Sequence, residues 1–224
     1  MKLDNYQVLL VSQSGKGKTY SFRNMNPNTT GFINVENKPL PFKNRFKYQT
    51  RIKSHDEIMK VLVEYYKNPD IDCIVLDSLS ACFELILEHA RKNYRGFDIW
   101  NYYNETIGKL ISLIKASNKT LFATAHYEIL GIEGNQEKRV KVKGKELEGV
   151  IEKDFTIVMY GDNKFDDNGK PEYFFNLAQE NTSAKCPPEI FGEGIYKIPN
   201  DSSIVLDKIR SFTNVETKGQ TVKA

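Results

Sequence analysis

The run Ser12-Gln13-Ser14-Gly15-Lys16-Gly17-Lys18-Thr19 supplies two glycines, two lysines and a closing hydroxyl within eight positions. These residue types hold phosphate. Glycines let backbone N–H groups wrap a β-phosphate, Lys18 neutralises β- and γ-oxygens, and the Thr19 hydroxyl ligates Mg2+. Against the pattern G-x-x-x-x-G-K-[ST], the first glycine is Ser12, small enough for the turn at some loss of backbone freedom. A chance Gly-Lys-Thr in a surface loop is the competing explanation. Context argues against it. A strand-like apolar run over 8–11 precedes the segment, and a helical stretch over 18–24 follows, closed by Asn26-Pro27-Asn28.

Such a loop needs a carboxylate to orient the metal. Asp77 ends the apolar run 71–77 at the carboxyl edge of a predicted strand, placed to hold Mg2+ through water; the plainer role is a helix-capping aspartate. The next residue is Ser78, not the glutamate that many such ATPases use to activate water. The base must then come from another strand, and Glu36, closing the run 31–35, is placed to accept a proton from the attacking water or to orient it. A solvated strand-end glutamate is the alternative. His126 is polar at the end of the apolar run 120–126, which suits a site residue as well as a satisfied core histidine.

Positioning these groups requires strands that end on one edge. Apolar runs alternate with stretches of helical period, the pattern of a mostly parallel sheet covered by helices. Ser54-His55-Asp56-Glu57 has the form of a capping box before the apolar stripe Ile58, Val61, Leu62, Tyr65. Helical patterns also cover 79–92 and the stripe Trp100, Tyr103, Ile107, Leu110, Ile111, Ile114. Beyond 127, segments near 138–145, 155–160 and 171–178 read as antiparallel strands, with turn chemistry at Asp166-Asp167-Asn168-Gly169. The fold class is α/β: a mostly parallel central sheet flanked by helices, with an antiparallel C-terminal β extension. One domain over 1–210 is expected, and 211–224 reads as a frayed or disordered tail.

Composition narrows the partners. Thirty-two basic against 29 acidic residues give a net charge of +3, too small for global charge to dictate a polyanion partner. Hydrophobic residues at 40% and charged residues at 27% exclude a fully disordered chain. No apolar run approaches the roughly 18 residues a span requires, and the N-terminus lacks a signal-peptide pattern, so a cytoplasmic protein without membrane contact is expected. Cys73, Cys82 and Cys186 form no CxxC pair, and His55, His89 and His126 show no ligand spacing, which sets zinc and disulfides aside.

The phosphate loop, the strand ending in Val35-Glu36 and the strand ending in Leu76-Asp77-Ser78 together resemble the RecA core. The order of motifs over roughly 5–200 resembles the phage-encoded RecA-like ATPases of single-strand annealing and recombination, often labelled AAA-family ATP-binding proteins. This resemblance implies a RecA-like P-loop NTPase that binds ATP and Mg2+, with His126 as the polar sensor of the γ-phosphate. It also implies assembly into a ring or filament. Asn181-Thr182-Ser183-Ala184-Lys185 resembles the late element whose cation reaches a neighbouring subunit's γ-phosphate, which singles out Lys185, with Arg210 in reserve.

Residues 138–145 carry five cations and no acid; if extended, they set Arg139, Lys141, Lys143 and Lys145 on one face, able to track a phosphate backbone. DNA-contacting loops of RecA relatives lie in the corresponding stretch. Glu133, Glu137, Glu146 and Glu148 dilute the stripe, and a solvated hairpin is the alternative. The function expected is ATP hydrolysis coupled to single-stranded DNA by a homo-oligomer. The alternative is a nucleotide-dependent switch that binds a replication or packaging protein; a small-molecule kinase is disfavoured by the lack of an arginine-rich lid.

Overall fold

The computed structural model describes residues 5–220, with side chains of the last helix described to Thr213. The first strand, β1 (Gln7–Val11), is buried throughout, and its side chains alternate between two apolar layers: Leu9 and Val11 face one, Val8 and Leu10 the other. Burial on both faces explains why it reads as a continuous apolar run. After the phosphate loop comes a single 3-10 turn, Thr19–Phe22, rather than the helix expected over 18–24. Ties to distant segments win over helix propagation here. Ser21 Oγ bonds to Lys18 O and Ser202 Oγ, Asn24 Nδ2 donates to Asp201 Oδ2, and Arg23 Nη1 donates to Asn200 O.

The chain then forms β2 (Thr30–Asn34), β3 (Tyr48–Arg51), α1 (His55–Lys67), β4 (Cys73–Asp77), α2 (Leu79–Asn93), α3 (Asp98–Lys115) and β5 (Thr120–Ala125). The capping box before α1 does not form: the Ser54 side chain makes no cap bond, and Glu57 Oε2 accepts the N–H of Lys53, one residue before the cap, at 2.7 Å. A hairpin of β6 (Tyr127–Ile132) and β7 (Asn135–Val140) follows, then β8 (Ile157–Phe165), β9 (Pro171–Asn176), α4 (Pro188–Phe191), β10 (Lys197–Pro199) and α5 (Ser202–Gln220). The domain end expected at residue 210 falls within α5, and residues 221–224 lie outside the described residues.

The eight-stranded sheet runs β10-β9-β8-β1-β5-β4-β2-β3. From β8 to β3 every neighbouring pair is parallel, and β9 and β10 add antiparallel pairings at one edge. Two sequence expectations need correcting. The strand near 155–160 is not part of an antiparallel extension alone: β8 pairs in parallel with β1 inside the main sheet and turns back into β9 through 166–169. The strand expected over 138–145 ends at Val140, because it pairs with β6 in a separate two-stranded sheet and left-handed Gly144 (φ 89°) leads into a 3-10 turn at Lys145–Leu147. Helices α1, α2 and α3 cover one face, and α4, α5 and the post-loop turn cover the other. Parallel β1, β2, β4 and β5 therefore deliver their ends to one edge. Among the described residues, no helix is long and apolar enough to cross a membrane.

Candidate active site

At that edge a cavity of about 400 Å³ is lined by the phosphate loop, Glu36, Lys38 and His126. Gly15 and Gly17 make the turn, with φ of 78° and 82°. Ser12 does not need glycine's freedom: among the described residues, Asn37 and Asn181 are the non-glycines in left-handed backbone. Its buried side chain instead finds room beside Gly161 of β8, where an added β-carbon would lie 3.4 Å from Ser12 Cβ. Gln13, Ser14 and Gly15 are exposed at the loop's crest. The Lys16 side chain turns away, donating to Asn163 Oδ1 at 2.6 Å and pairing with Asp162 at 2.8 Å.

Lys18 folds back on the loop. Its ammonium donates to Ser12 O (2.7 Å) and Gln13 O (2.9 Å) and stands 3.2 Å from His126 Nδ1. Burial lowers this ammonium to a pKa of about 8, against the pull of Asp77 and Glu36. Lys18 thus loses charge in the free loop as pH passes about 8. Phosphate oxygens beside it would restore the proton, so binding takes up a proton above that pH and weakens as pH rises. Nucleotide affinity is expected to be full below about pH 7.5 and about tenfold or more weaker near pH 9.5. Calorimetry at the two values checks this, and equal affinities would contradict the role of Lys18.

Asp77 is buried between two hydroxyls: Thr19 Oγ1 donates to Oδ2 at 2.7 Å and Thr124 Oγ1 to Oδ1 at 2.5 Å. Burial raises its carboxyl above the usual range despite both bonds. The peptide between Asp77 and Ser78 is cis. A Thr19 hydroxyl touching a carboxylate is an all-oxygen donor pair, which fits Mg2+.

Glu36 lies two residues past the end of β2. Burial works to raise its carboxyl, but the hydrogen bonds and charge of Lys38 and the Ser78 hydroxyl outweigh it and hold Glu36 below the ordinary carboxylate range, hence ionised. Ser78 Oγ donates to Oε1 at 3.1 Å while accepting the Ala81 N–H as the cap of α2, and Lys38 Nζ pairs with Oε2 at 2.8 Å. His126 Nε2 lies 3.9 Å from Oε1. Burial and the Lys18 charge lower the His126 pKa, favouring the neutral ring. Its backbone is fixed on both sides, the N–H donating to Ser80 Oγ of α2 and the carbonyl accepting the Lys141 N–H.

The loop, Asp77, Glu36 and His126 therefore converge. Lys185 and Arg210 do not join them. Lys185 bridges to Val158 of β8, and its ammonium reaches Lys153 O before that strand, at the sheet end remote from the loop; Arg210 pairs with Asp72 at 2.9 Å, before β4. The basic stripe is partly tied down. Arg139 is engaged by Glu137 at 2.6 Å, whereas Lys141, Lys143 and Lys145 are exposed, with Val140 and Val142 buried between them. Tyr103 is core, its hydroxyl accepting the Lys143 N–H. Sequence reasoning missed Lys38, Ser80 and Thr124. Thr124 left a signal, as a polar residue inside the apolar run of β5; Lys38 left none.

A family model described as AAA domain matches residues 4–185. The chain belongs to the AAA domain family. Its phosphate loop, Asp77, Glu36 and His126 all lie within the matched residues, and the chain is an AAA-type P-loop ATPase by family. α4, β10 and α5 lie beyond the match. No curated protein matches the chain.

Proposed function

We propose that the chain is a RecA-like, Mg2+-dependent ATPase that acts on single-stranded DNA as a homo-oligomer in recombination, annealing or repair. The observation that carries the hydrolytic reading is the ionised Glu36 carboxylate in the same cavity as Lys18, with His126 beside both. Thr19 and Asp77 would hold Mg2+, which supplies charge neutralisation at the phosphates. Lys18 exchanges its loop carbonyls for β- and γ-oxygens. Glu36 accepts a hydrogen bond from water and orients it for in-line attack, giving ADP and phosphate. Release of Lys18 frees His126 Nδ1, and the His126 carbonyl holds the Lys141 backbone, so the nucleotide state bears on the basic segment. Lys185, remote from the loop of its own chain, is assigned to a neighbouring subunit's γ-phosphate.

Lys141 and Lys143 support the DNA reading because they rim a second cavity of about 430 Å³ that His126 also lines. Phosphate release measured with and without single-stranded DNA at two salt concentrations tests it. Stimulation is expected at low salt. Replacing both lysines with alanine is expected to weaken binding and flatten the log–log salt slope by about 1.4, for two lost phosphate contacts. Ile129 and Ile132 of β6 are 53% and 78% exposed, which favours a protein partner as the second reading. Absence of DNA binding at low salt, with and without nucleotide, selects that reading.

A further inference from the structure

The phosphate cavity continues between two tyrosines. Tyr20, next to Thr19, is 40% exposed, and its ring centroid lies 6.4 Å from that of half-buried Tyr173 on β9. Both rings also line an adjoining cavity of about 500 Å³, which reaches Asn200 between β10 and α5. Tyr173 rests on the loop itself: a β-carbon at Gly17 would lie 3.0 Å from its Cδ1 and 3.3 Å from both Oδ1 and Nδ2 of Asn200. Asn200 is 3% exposed, yet neither amide atom has a hydrogen-bond partner. Its backbone is fixed, the N–H donating to Tyr173 O and the carbonyl accepting Arg23 Nη1. A buried amide with donor and acceptor both unpaired is a costly arrangement that an apolar side chain would avoid. A ligand presenting an adjacent acceptor and donor would satisfy both.

We propose that Tyr20, Tyr173 and Asn200 form the subsite for the nucleobase, and that the Asn200 amide is what selects adenine over guanine there. The inference rests on the loop's binding a nucleotide. Adenine sets its N6 amino donor beside the N7 acceptor, the pair that an asparagine amide meets with two bonds; guanine offers two acceptors on that edge, leaving Oδ1 against a lone pair. The tyrosine rings supply stacking surface without base preference. Tyr173 covers the amide in the free chain, and an entering base takes its place over Asn200 while keeping the ring as a stacking face.

Calorimetry of the intact chain with Mg2+ tests this, titrating the β,γ-imido analogues of ATP and GTP and inorganic tripolyphosphate. The adenosine analogue is expected to bind about tenfold or more tightly than the guanosine analogue, and to exceed tripolyphosphate likewise. Asn200→Ala should abolish the preference between bases, leave tripolyphosphate binding unchanged, and not lower the melting temperature of the free chain; a purely structural Asn200 would lower it. Tyr173→Ala should weaken both nucleotides and spare tripolyphosphate. Equal affinity for both nucleotides and tripolyphosphate, a preference for guanosine, or equal losses for all three ligands in Asn200→Ala would overturn the subsite. If none of the three binds the wild-type chain, the phosphate-loop reading fails, and the subsite with it.

Discussion

Glu36→Gln is expected to keep nucleotide bound within about twofold of wild type while lowering single-turnover hydrolysis by about a hundredfold to ten-thousandfold, the usual contribution of a positioned acid–base group. Glutamine matches glutamate in size and can still accept from Ser78 Oγ, so the cap of α2 survives. The Lys38 ion pair is lost, but the Lys38 side chain is 77% exposed and such pairs contribute little. What disappears is the negative charge beside the cavity, and with it the ability to take a proton from water. Asp77 cannot substitute, because both its oxygens are engaged by Thr19 and Thr124. Filter binding and rapid-quench hydrolysis on the same preparation separate the two effects. A near-normal rate would move the base to another residue.

Lys18→Ala is expected to act on binding instead, lowering nucleotide affinity by about a hundredfold or more through loss of charge-assisted bonds to two phosphates. Its effect on the fold should be small and of mixed sign. Removing the side chain relieves the burial of an ammonium whose pKa has already fallen to about 8, while it strands the Ser12 and Gln13 carbonyls. Thermal unfolding without nucleotide should therefore differ little from wild type, whereas the stabilisation conferred by nucleotide should vanish. A variant that lost both folding and binding would point to Lys18 as a structural brace of the loop.

The parts of this centre that could be read in the sequence are those whose local pattern is self-sufficient. β1, β2, β4 and β5 are covered on both faces and so appear as largely apolar runs, and the polar residues at or just past their ends, Glu36, Asp77 and His126, fall on one edge because the strands are parallel. What depends on distant partners was not legible. Nothing within 157–165 announces parallel pairing with β1, and β3, with no buried side chain, carries no apolar run to betray it. The post-loop helix stops after one turn because Arg23 and Asn24 are held by the residues entering α5. One clue was present: period-2 alternation puts Glu137 on the same face as Arg139, and the two pair. In α5 the buried Val205, Leu206 and Ile209 follow helical spacing, and half-buried Phe212 continues that stripe past residue 210. Asn200 gives no sequence signal, since its unpaired amide is visible only once Gly17 and Tyr173 are packed against it.

Steady-state phosphate release from ATP by the purified chain, run beside Lys18→Ala prepared identically and with Mg2+ either present or chelated, probes the proposed chemistry most directly. The expected result is turnover by the wild-type chain that requires Mg2+ and is absent from the variant. Equal phosphate release by both proteins, or release by the wild-type chain that persists after chelation, would contradict it.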